Sequence, residues 1–132
     1  MRKRRQPDPE PLPEHRALAE AWLRYNAGKP NEKNPEAGAG DRLIDLLFRD
    51  PEAAWQVIDL IWRQAPDDRT LADIAAGPVE SLLAHHGEVF IDRIYLLARR
   101  EPVFRKMLGA VWRNSMSEPV WQKLKSIAGP NF

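Results

Sequence analysis

The chain has 132 residues, enough for one domain with its own core, and is 43% apolar and 30% charged, the make-up of a soluble globular protein. Its net charge of +1 gives no global pull toward nucleic acid or membrane, and no apolar run approaches the length of a membrane span. The absence of cysteine removes disulfides, thiolate metal sites and cysteine nucleophiles, and fits a reducing cytoplasm.

Residues 1–13 join the basic tetrad Arg2-Lys3-Arg4-Arg5 to Pro7, Pro9, Pro11 and Pro13, which reads as a disordered or polyproline arm. No apolar stretch follows the tetrad, so it is not a secretory signal. A single helical domain is expected over 14–132. Its first helix runs over Glu14–Ala27, with Ala17, Leu18, Ala21, Trp22 and Tyr25 at helical spacing and Gly28 as a left-handed cap. Residues 28–40 are rich in Gly, Pro and Asn and read as a flexible loop.

Beyond Asp41 the pattern is nearly all helix. Asp41 is expected to cap a helix to Arg49. Asp50, with Pro51 in the first turn, caps the next, whose apolar face holds Ala54, Trp55, Ile58, Ile61 and Trp62 before Pro66 stops it. Thr70 or Asp68 caps a short helix to Ala76. Gly77-Pro78 then closes one helix and opens another, which Gly87 ends. Helices over Glu88–Arg100, Pro102–Arg113 and Glu118–Ala128 follow, the last capped by Ser117. On this pattern Trp112 and Trp121 belong to the core. No stretch alternates as a strand.

Two segments echo each other at an offset of 51 residues. Residues 41–51 lie over residues 92–102 with five of eleven positions identical, and each copy ends at an acid-Pro step, Asp50-Pro51 and Glu101-Pro102. A helix, an acid-Pro corner and a second helix form the unit of an α-solenoid. The expected fold is therefore all-α: a compact stack of about seven short antiparallel helices arranged as HEAT-like hairpins.

Few residues carry candidate chemistry. Adjacent helix residues point about 100° apart, so His85 and His86 cannot chelate one ion as an i, i+4 pair would. His86 instead suits carbonyls at a helix C-terminus. Glu80 suits the free amides of its own helix N-terminus. A catalytic group of Glu80, His86 and Asp92 requires those side chains to converge, and no phosphate loop, zinc spacing or nucleophile motif is present. The stronger signal is charge. Residues 41–80 carry net −5, whereas 99–125 carry net +5 through Arg99, Arg100, Arg105, Lys106, Arg113, Lys123 and Lys125. Either the two halves attract each other, or the basic set meets a partner.

The run Ala75-Ala76-Gly77-Pro78-Val79-Glu80-Ser81-Leu82-Leu83-Ala84-His85-His86-Gly87 resembles a small bacterial all-helical domain family of unknown function, whose members read Ala-x-Gly-Pro-x-Glu-x-Leu-Leu-x-x-His-Gly. The likeness extends over residues 41–114. It implies no activity, but it implies that Gly77, Pro78, Glu80, His86 and Gly87 form a structural corner that reverses the chain between two helices.

These readings lead to a non-enzymatic protein–protein interaction module of the cytoplasm, without cofactor or metal. An immunity- or defence-associated role is one form of it. The alternative is a nucleic-acid-associated accessory protein using the N- and C-terminal basic residues.

Overall fold

The computed structural model describes residues 10–28 and 37–129, and these are mostly helical, with no strand among them. The arm at 1–9, with its basic tetrad, and residues 29–36 of the expected loop lie outside the described residues. The elements are α1 (Pro13–Ala27), α2 (Ala39–Arg49), α3 (Pro51–Gln64), α4 (Asp68–Ile74), a π-helical turn (Ala75–Val79), α5 (Glu80–Arg100), α6 (Pro102–Leu108) and α7 (Glu118–Ile127). None is long and apolar enough to cross a membrane.

Helix starts follow local chemistry. Asp50 Oδ1 accepts the Ala53 amide at 3.1 Å, Asp67 Oδ1 accepts the Thr70 amide at 2.8 Å, and Ser117 Oγ accepts the Val120 amide at 3.4 Å. Each fills one of the donors that a helix start leaves open. The cap of α4 is thus Asp67, one residue before the expected pair, and Thr70 helps from inside by donating its hydroxyl to the same carboxylate at 2.6 Å. Helix α2 starts two residues before Asp41, which lies in its first turn and caps nothing. Gly28 is extended (φ −71°, ψ 156°) rather than left-handed, and its amide donates to the Tyr25 carbonyl at 3.2 Å.

Helix α3 packs against α1 and α2 on one side. On the other, its Trp55 meets Phe90 and Phe104, and Trp62 meets Phe104 with ring centroids 5.2 Å apart. One continuous core results. Phe90, Phe104, Leu43, Leu47, Ile58 and Ile61 in it are almost wholly buried, each contributing about 1.5–3 kcal/mol of burial energy. Helix α5 packs on α6 and α7 to form the other side.

The middle of the chain departs from expectation. Gly77-Pro78 does not separate two helices. A π turn carries the chain from α4 into α5, and its wider bore accommodates the buried Pro78 ring that a regular α turn would exclude. The second expected break, at His86-Gly87, is present: His86 leaves helical geometry (φ −135°, ψ 25°), and α5 kinks there before continuing to Arg100. Helix α6 also stops early. Gly109, Ala110 and Val111 donate to carbonyls three residues back at 3.0–3.1 Å, a tightened final turn, and an irregular loop runs from there to Ser117.

Candidate functional site

Ending α6 at Leu108 changes the fate of Trp112. Instead of facing the core it stands 76% exposed, more than any other large apolar side chain among the described residues. The loop that carries it is braced from several sides. Glu80 Oε1 accepts the Trp112 amide at 3.0 Å, and Oε2 accepts from the Asn114 side chain at 3.3 Å. Arg113 pairs with Glu118 at 2.7 Å and reaches the Met116 carbonyl at 3.5 Å. Val111 and Met116 on either side are buried, pinning the loop to the core. Asn114 takes a left-handed conformation (φ 49°), which asparagine tolerates better than most residues. The backbone is held while the indole is left in water.

Beside Trp112 lies an open cleft of about 800 Å³ between α4 and α7. One side is made of Ala72 and Asp73 of α4 and Ala76 of the π turn, and the floor of Leu108 and Val111. Trp121, Leu124, Lys125 and Ala128 form the opposite wall from one face of α7. The expectation that both tryptophans are core residues therefore needs correcting for Trp112, which is a rim residue. Trp121 is half-buried and packs against the core, with the Lys125 ammonium 5.9 Å from its ring centre.

The predicted corner residues span 11 positions of one helical path that kinks at His86. Gly77 has open space around it and a negative φ, so nothing in the fold requires glycine there. Gly87 follows the non-helical His86, so the break expected there is present, and it is also the point where α5 crosses α7, where a Cβ would stand 2.9 Å from Val120 Cγ1. His86 meets a helix C-terminus, but that of α2, with Nε2 3.0 Å from the Leu47 carbonyl oxygen. His85 stacks on Phe48 of the same helix end at 4.7 Å. Glu80 binds a free amide, but in the distant Trp112 loop rather than in its own helix. Glu80, His86 and Asp92 do not share a pocket, because they engage the Trp112 loop, α2 and Lys123 of α7 respectively. Among the described residues no three His, Asp or Glu side chains gather in a way that would hold a metal ion.

The basic set is largely engaged within the molecule. Lys106 pairs with Asp68 at 2.8 Å, Lys123 pairs with Asp92 and lies over Tyr95, and Arg105 donates to the Ile127 carbonyl at 3.0 Å. Arg99, Arg100 and Lys125 are exposed without an ion pair among the described residues, and Arg105 has only its backbone carbonyl. Other ion pairs cross between elements. Glu52 takes a two-pronged pair from Arg93, both bonds 2.6 Å, and Arg63 reaches Glu101 at 3.8 Å. The Arg93 hydrogen bonds hold the Glu52 carboxyl below the usual carboxylate range. Glu118 is lowered by its hydrogen bond from Gln122 and then by the Arg113 charge, and Asp67 by Thr70.

A family model matches residues 27–130, spanning the described helices from the end of α1 to α7. The chain belongs to a family of unknown function, DUF6869. Neither the curated proteins nor the solved structures provide a match. Membership therefore supplies no activity, and function has to be argued from the cleft.

Proposed function

We propose that the protein is a non-enzymatic protein-binding module whose contact surface is the cleft beside Trp112. The observation that carries this reading is a 76%-exposed tryptophan on a loop held by Glu80 and Arg113, next to an open apolar cleft. A large exposed indole costs solubility unless a partner covers it, and tryptophan and arginine dominate the energetic centres of protein interfaces. A braced loop also lowers the ordering cost of association. The internal use of Arg105, Lys106, Arg113 and Lys123 supports protein over nucleic acid as the partner, since counterion release depends on free cations.

The scaffold beneath reads as HEAT-like hairpins. Its two acid-Pro corners share backbone geometry: the Asp50 amide donates to the Leu46 carbonyl and the Glu101 amide to the Leu97 carbonyl, at 2.7 and 2.9 Å. The lack of cysteine supports a cytoplasmic setting.

Photo-crosslinking in the native host tests the reading. A benzoylphenylalanine at position 112 should trap a discrete protein adduct, while the same group at exposed position 56 on α3 should not. Adducts that are nuclease-sensitive, or equal at both positions, would contradict it.

A further inference from the structure

The open charge of the cleft is positive. Its lining holds two cations and one carboxylate: Arg113, Lys125 and Asp73. Two of the three are already satisfied, Arg113 by Glu118 at 2.7 Å and Asp73 by the Asn26 side-chain amide at 3.1 Å. Lys125 makes no ion pair. It rests over the Trp121 ring, no carboxylate among the described residues lies within ion-pair distance of it, and its charge reaches Glu118 only from farther off. It shares its α7 face with Trp121, Leu124 and Ala128, so the ammonium borders the apolar wall directly.

From this arrangement we infer that the occupant of the cleft is an acid-flanked apolar segment of another protein. A bulky apolar side chain enters between Trp112 and the Ala72–Ala76 wall, and an Asp or Glu within about four residues of that anchor reaches Lys125. The inference rests on the protein-binding reading and adds the chemistry of the partner. Three features choose this occupant over the others. A second copy of the chain would bring its own Lys125 to face this Lys125 across the cleft, and like charges oppose that pairing. A nucleic-acid strand would run its phosphates past Glu80, Glu118 and Asp73, which stand near or within the same rim. A wholly apolar segment would leave the Lys125 charge at the edge of a desolvated contact with no partner.

The test is selection of displayed random 12-residue peptides on the full-length protein, with Trp112→Ala and Lys125→Glu proteins panned in parallel and melting temperatures recorded for all three. The expected result has two parts. Binders lost on Trp112→Ala carry Asp or Glu near an aromatic or aliphatic residue. Selection on Lys125→Glu shifts that flank to Lys or Arg, and Lys125→Glu weakens the original peptides about tenfold. If Trp112-dependent peptides appear without an acidic preference, or Lys125→Glu selects the same set, the inference fails and the protein-binding reading stands. If no peptide depends on Trp112, both fail. Sedimentation that shows a dimer abolished by Trp112→Ala would make a second copy the occupant, and displacement of selected peptides by an oligonucleotide would make it a nucleic acid. Either result overturns the inference.

Discussion

Gly87 shows what a single hydrogen atom in place of a methyl group does for this core. It lets α5 approach α7 so closely that a Cβ would lie 2.9 and 3.1 Å from the two Val120 methyls. Gly87→Ala should therefore destabilise by about 1–3 kcal/mol through overpacking, although alanine is the better helix former. Val120→Ala in the same chain should recover part of that loss, a coupling that denaturant melts of the two single variants and the double variant would measure. Glu52 gives a pH signature. Its folded pKa is lowered, so the Arg93 pair contributes stability above the ordinary carboxylate range and loses it as pH falls through the folded value. Thermal melts of wild type and Glu52→Gln should differ at neutral pH and converge in acid. Because both side chains are about half exposed, added salt should narrow the neutral-pH gap as well.

At the scale of elements, the two acid-Pro corners make a controlled comparison. They share a backbone path, yet only Asp50 caps its helix through the side chain, while Glu101 makes no cap bond and has a 3.8 Å pair with Arg63. Asp50→Ala should cost about 1 kcal/mol in a melt and Glu101→Ala only a few tenths. Glu80 acts across elements. Glu80→Ala should cost about 1 kcal/mol and speed hydrogen exchange at the Trp112 amide, which it holds at 3.0 Å. These elements also show what a sequence can reveal. Helix starts at Asp50 and Ser117 were legible, because the cap and the proline lie within one turn of each other. The π turn was not, since Gly-Pro is a breaker by local rules and only the packing around Pro78 keeps the chain helical. The early end of α6 left a trace in Gly109 and in the turn-forming Asn114-Ser115, but the apolar spacing of Val111 and Trp112 read as helix and outweighed it. Glu80 could not be assigned to the Trp112 loop, because the contact spans 32 residues.

For the molecule as a whole, Asp68–Lys106 joins the acidic segment to the basic one, Glu52–Arg93 ties the acidic segment to α5, and much of the basic surface expected to meet a partner is used inside. What remains for recognition is smaller and more apolar: Trp112, the cleft beside it and Lys125 at its wall. The 51-residue echo is strongest at the scaffold corners and diverges after them: Trp62-Arg63 lies at the end of α3, whereas its counterpart Trp112-Arg113 lies in the loop past α6. The central claim, that Trp112 anchors a protein partner, is tested most directly by the affinity of wild-type and Trp112→Ala proteins for the partner trapped at position 112. The account predicts a loss of at least about 2 kcal/mol, some thirtyfold in Kd, with an unchanged melting temperature. Equal affinities at equal stability would contradict it.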